Sequence, residues 1–149
     1  MNRTVAICAL LVWVALWVAL TAAAPWTLSD HNTFMKGFVN EQFLSFMGVI
    51  VTITLASAAN LFVEVNKLED RVDRPIFGST KRHLKDSAFA LIWSLVAAVV
   101  LVVAKPLVIC GERTQAAVNG GALTVIIVSI MILTDLTQAA FALDLRADD

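Results

Sequence analysis

The stretch IMILTDLTQAAFAL (Ile130–Leu143) closes an apolar run that begins at Ala122 and carries one acidic side chain, Asp135. A helix crossing the hydrocarbon of a bilayer, about 30 Å thick, needs about 20 mainly apolar residues. Ala122–Leu143 supplies them. Working outward, Val5–Ala23 and Ser87–Ile109 are runs of the same kind, and Phe43–Val63 is nearly as apolar but interspersed with small and polar residues. The 149-residue chain is 59% hydrophobic and 15% charged, with a mean hydropathy of +0.81, a balance that leaves no room for a soluble domain. The expectation is an all-α integral membrane protein. Its single transmembrane domain covers residues 1–149, with spans near 5–23, 43–64, 87–109 and 122–143.

Charge sets the expected orientation. Lys67, Arg71, Arg74, Lys81, Arg82 and Lys85 crowd the segment 65–86 between the second and third spans, while Arg3 and Arg146 flank the first and last. The other two loops hold only Lys36, Lys105 and Arg113. The positive-inside rule then places the basic loop and both termini in the cytoplasm, and loop parity agrees, because an even number of spans returns the chain to its starting side. Arg3, the first apolar run and TAAAPW (Thr21–Trp26) also fit a secretory signal. The run is longer than the usual signal core, so the expectation is an uncleaved first span. Cys8 and Cys110 fall at opposite membrane faces, too far apart to pair within one subunit. Neither belongs to a metal-ligand spacing.

The first span, with Trp13 and Trp17 one turn apart, reads as a plain anchor. The loop after it offers Ser29 as a helix N-cap, and Phe34, Met35, Phe38 and Val39 recur at helical spacing, as in a short helix at the membrane surface. The second span is richer. Gly48, Thr52, Ala56 and Asn60 form an i+4 ridge of small or hydrogen-bonding residues, the kind that brings helices close in lipid. Ser57, Asn60, Glu64, Lys67, Arg71 and Arg74 follow at spacings of three and four, and Leu61, Val65, Leu68 and Val72 keep the same rhythm beside them. The helix should therefore run on into the cytoplasm and stop at Arg74, before Pro75. Gly78 and Ser79 read as the bend that follows, and Lys105 as a cation reaching for water at the outer end of the third span.

Asp135 stands about 20 Å below Ala122 along a helix, where an isolated carboxylate costs a few kcal/mol or more. Gln138 shares its face, Thr134 and Thr137 flank it, and depth alone sets Ser57 and Asn60 of the second span at a similar level, with Glu64 at the cytoplasmic mouth. Two readings are open. The layer is hydrogen-bonded glue inside the bundle, or it borders a water-filled path. Four helices are too few to enclose such a path, so the wet reading requires copies of the chain around an axis, a tetramer as first guess. Thr52, Ser57, Asn60, Glu64, Asp135 and Gln138 are then its pore or gate residues. The basic set Lys67, Arg71, Arg74, Lys81, Arg82 and Lys85 reads either as a contact for anionic lipid or as a site for an anionic cytoplasmic ligand such as a nucleotide or oligonucleotide. No Gly-rich phosphate loop accompanies it.

Enzymatic sites lack their parts: two histidines, both read as lying in loops, no HExxH, and no second intramembrane Asp to form a dyad with Asp135. No cofactor or metal is expected. In layout, with SFMGVIVTITLASAANLFVEVNKLEDR (Ser45–Arg71) and ILTDLTQAAFAL (Ile132–Leu143) as the segments to align, the chain resembles the small multi-pass effectors of bacterial anti-phage and abortive-infection systems, of the RexB and HalB kinds. The resemblance implies an oligomeric ion channel of the bacterial inner membrane that depolarises it on a cytoplasmic signal, with the basic residues as sensor and a cytoplasmic enzyme as a partner. A non-conducting accessory subunit and a small proton-coupled transporter are the alternatives.

Overall fold

Nothing between Arg3 and Ala23 interrupts a helix, and Pro25 stops it; the first element, α1, spans Arg3–Ala23 and is followed by a 3-10 turn at Pro25–Thr27. The computed structural model describes residues 3–72, 77–108 and 111–147. After α1 come α2 (Thr33–Phe38), α3 (Glu41–Val72), α4 (Gly78–Ala104), a 3-10 turn at Lys105–Val108, and α5 (Glu112–Ala147). Four stretches, Thr4–Ala23, Glu41–Asp70, Gly78–Leu107 and Glu112–Phe141, are long and apolar enough to cross a membrane. Val12, Ile53, Trp93, Val100 and Leu107 are all exposed, an outward apolar surface of the kind that marks membrane or protein contact.

Helices α3, α4 and α5 pack on one another, and α1 lies against α5. The core keeps a repeat of seven on two helices, Leu84, Leu91 and Ala98 on α4 and Ala122, Ser129 and Leu136 on α5. That period is the one that holds a seam between helices of a left-handed bundle. From α3 the chain contributes Phe43, Met47, Val51, Thr54, Ala58 and Val65, all buried. Within the spans, buried hydroxyls turn back on their own helix, Thr54 to Ile50 O (2.6 Å), Ser94 to Ala90 O (2.9 Å) and Ser129 to Val125 O (2.9 Å). Each is thus satisfied without an interhelical partner.

Two cavities show that α1 and α5 run antiparallel: one joins Leu10 to Val128 and Asp135, the other Thr21 to Arg113. Two ends result. The last turns of α3 and the first turns of α4, with Lys67, Lys81, Arg82 and Lys85, mark the basic end; α2 and the 3-10 turn after α4 mark the loop end.

Several local expectations change. α5 begins at Glu112, ten residues before the expected span, and runs through Gly120 and Gly121. A β-carbon on Gly120 would overlap the indole of Trp17, so glycine here permits the approach of α1 to α5. Trp13 also faces α5 and donates its N–H to Thr124 Oγ1 at 2.9 Å, so α1 is a specifically docked helix. α4 already begins at Gly78, and the basic loop expected over 65–86 is helical at both ends. Asn32, not Ser29, caps α2, accepting from Phe34 N at 3.0 Å, and Asn40 caps α3 through Gln42 N at 3.0 Å. Arg74, Pro75 and Cys110 lie outside the described residues.

Candidate functional site

Asp135 sits on α5 less than two turns before Phe141, and a side chain of α4 meets it. His83 Nε2 is 2.8 Å from Asp135 Oδ2. The side chains are 64% and 36% exposed, so the pair lies at a rim and not in a sealed interior. It opens on a cavity of about 570 Å³ walled by α1, α4 and α5, in which Ser87 and Asp135 supply polar groups and Leu10, Val128, Met131 and Ile132 apolar ones. An imidazole beside a carboxylate can hold or pass a proton, and the hydroxyl of Ser87 stands one turn further in. The sequence reading set His83 in a loop. Once α4 starts at Gly78, His83 is in its second turn and on the side that faces α5.

The α3 residues expected to join Asp135 point elsewhere. Thr52, Ser57, Asn60 and Glu64 are all exposed on a side of α3 different from the ridge that packs into the bundle. Ser57 donates to its own Ile53 O at 2.9 Å, and Glu64 lies 3.9 Å from Lys67. Thr52 and Asn60 make no side-chain hydrogen bond among the described residues. Thr134 and Thr137 return to Ile130 O and Leu133 O of α5, both at 2.8 Å, and Gln138 is exposed. Polar groups of similar depth therefore divide into two sites: His83 with Asp135 between α4 and α5, and a stripe on the outside of α3.

At the basic end, Lys67, Arg82 and Lys85 are exposed. Lys81 is not a free sensor: it pairs with Glu69, which also accepts from Phe77 N at 2.8 Å, and its ammonium stands 5.9 Å from the centre of the Phe62 ring. This pair ties the end of α3 to the start of α4. For Arg71, only its place on α3 is described.

The loop end holds a polar network that composition gave no sign of. Lys105, expected to reach for water, pairs instead with Asp30 at 2.9 Å. Asn119, fully buried on α5, donates to Leu28 O (2.7 Å) and to Asp30 Oδ1 (3.1 Å). Burial acts to raise the Asp30 carboxyl, but hydrogen bonds from Lys105 and Asn119 and the charges of Lys105 and Lys36 prevail and hold it below the usual carboxylate range. Among the described residues, no group of three or more His, Cys, Asp or Glu is placed to hold a metal.

Comparison with protein-family models, with curated proteins and with solved structures finds no match. The geometry therefore defines the class, a chain with four helices fit to cross a membrane, and the functional reading rests on its own residues.

Proposed function

We propose that this chain is the subunit of a gated, homo-oligomeric ion-conducting pore in the bacterial inner membrane, with the α3 helices of several copies around its axis. One observation carries the reading. Thr52 and Asn60 lie on the outside of the subunit, within a stretch fit to cross a membrane, and have no hydrogen-bond partner among the described residues. Asn60 is about 25 Å along the helix from Phe43, still inside a hydrocarbon layer of about 30 Å. Lipid tails offer an amide nothing, and leaving one unsatisfied there costs several kcal/mol. Another copy or a column of water relieves that cost, and a ring of α3 helices supplies both. Ala56, between Thr52 and Asn60, keeps the ridge low enough for close approach.

The basic end faces the cytoplasm in this proposal. Lys67, Arg71, Arg74, Arg82 and Lys85 receive an anionic signal there, and the Lys81–Glu69 pair holds α3 and α4 together beside them. Depolarisation in anti-phage defence follows from the resemblance in layout to small abortive-infection effectors. Flux from potassium-loaded liposomes tests the pore. Wild-type protein should discharge a potassium gradient, and Asn60→Leu should slow discharge at least about tenfold while inserting normally, since a ring of leucines excludes water. Equal discharge by both proteins removes the α3 face from the conduction path.

A second reading has its own observation. His83, Asp135 and Ser87 around one open cavity suit a proton-coupled carrier of a small amphiphilic solute. Uptake that saturates with solute, follows the pH gradient and disappears in His83→Ala and Asp135→Asn but survives Asn60→Leu would select it.

A further inference from the structure

At the loop end, α1 and α5 part to leave a second cavity, of about 410 Å³, lined by Trp17, Val18, Thr21, Ala22, Arg113 and Ala117. Trp17 and Thr21 are one turn apart on α1, and Arg113 and Ala117 one turn apart on α5, so the cavity is a groove running along both helices. Ala22 and Ala117 keep its walls low, and Val18, 58% exposed, opens it sideways to the membrane. Its polar groups are uncommitted. Thr21 Oγ1 is covered yet has no hydrogen-bond partner, and Arg113 is exposed and makes no ion pair among the described residues.

We infer that this groove seats one glycerophospholipid of the leaflet at the loop end, its phosphodiester on Arg113 and a glycerol ester carbonyl on the Thr21 hydroxyl. The inference rests on the chain spanning a membrane and is independent of the pore. The heights match. Thr21 is about 3 Å below the end of α1, near where the ester groups of a bilayer lie, and Arg113 stands at the start of α5. A guanidinium forks a phosphate through two parallel N–H bonds, and the small-residue walls receive the first methylenes of a chain that continues along Val18. The cavity is at the small end of the range of ligand sites, about 300–1,000 Å³, as suits a phosphoglycerol whose tails stay in the bilayer. No carboxylate lines the groove to receive a headgroup ammonium, so phosphatidylglycerol fits better than phosphatidylcholine.

Native mass spectrometry of the full chain, released from detergent after exposure to dioleoyl phosphatidylglycerol, tests the seat. Wild type should keep one lipid per chain in preference to dioleoyl phosphatidylcholine. Arg113→Gln should weaken retention about tenfold, the loss of one charge-assisted fork, and Ala117→Leu, which fills the groove without touching a charge, should do the same. Millimolar inorganic phosphate should not displace the lipid. Full retention by Arg113→Gln overturns the inference, and so does full retention by Ala117→Leu, which would mean surface ion pairing without a groove. Displacement by phosphate also overturns it, making the occupant a soluble anion. Circular dichroism checks each variant's helix content, and if Arg113→Gln fails to fold, Ala117→Leu decides.

Discussion

Glycine at position 120 is the point at which one substitution should separate α1 from the bundle, and the structure supplies its own control. A β-carbon there meets three atoms of the Trp17 indole, with Cε2 as the most distant of them at 2.8 Å. The ring is rigid, and Trp13, one turn away, is tied to Thr124, so moving α1 aside to make room would disturb that bond. Overpacking of this kind costs about 1–3 kcal/mol. Replacing a helical glycine by alanine returns about 1 kcal/mol of propensity, so Gly120→Ala alone should lie between neutral and about 2 kcal/mol destabilised. Gly48 separates the two effects. Nothing in the subunit stands within 4 Å of a β-carbon built there, so in micelles dilute enough to hold single chains Gly48→Ala reports propensity alone. The difference between the two variants, about 1–3 kcal/mol, is then the steric cost. Equilibrium unfolding in mixed micelles with rising dodecyl sulfate measures both. Repeating the pair in a Trp17→Ala background should bring the difference close to zero. Gly120→Ala as stable as Gly48→Ala in the wild-type background would refute the α1–α5 packing.

Three further predictions address the ends and the α1 contact. Asp30, held below the usual carboxylate range, binds fewer protons folded than unfolded, so its contribution to the loop-end network is complete above about pH 4 and disappears as pH falls through its lowered value. Protection from hydrogen exchange over residues 26–40, taken relative to the intrinsic rate at each pH, should therefore fall in acid, and Asp30→Asn should show that loss of protection already at neutral pH. Lys81→Met, which deprives Glu69 of its cation, should lower Tm measurably, whereas Lys85→Met, exposed and outside any ion pair among the described residues, should leave it unchanged. Thr124→Val leaves the Trp13 N–H without its acceptor and should cost about 0.6–2 kcal/mol in the same micelle titration, a loss that a Trp13→Phe background should cancel.

The four long apolar helices were legible because their apolar runs are too long for anything but a membrane or a large core, and the length of α3 was legible because its period of three and four continues to Val72. The neighbours of Asp135 were not. Counting residues gives depth along a helix, and at equal depth Ser57, Asn60 and His83 are all candidates. Rotation about the axis decides among them, and that is set by which ridge packs inward. On α3 the ridge from Phe43 through Met47, Val51, Thr54, Ala58 and Val65 wins over the smaller Gly48, Thr52, Ala56 and Asn60. The start of α4 was hidden by the basic run KRHLKD, which reads as solvated loop unless the sevenfold spacing of Leu84, Leu91 and Ala98 is noticed. The loop-end network was hidden because its partners, Asp30, Lys105 and Asn119, are far apart in the chain. The double glycine at 120–121 reads equally as a turn or as a helix crossing, and only the presence of Trp17 opposite it decides.

The proposed pore requires that water reach the exposed face of α3. With Cys8 and Cys110 replaced by alanine, Asn60→Cys in a planar bilayer should react with a charged, membrane-impermeant methanethiosulfonate reagent, and its current should fall as the reaction proceeds. A cysteine at 60 that stays unreactive while current flows, or that reacts and leaves the current unaltered, would contradict the account.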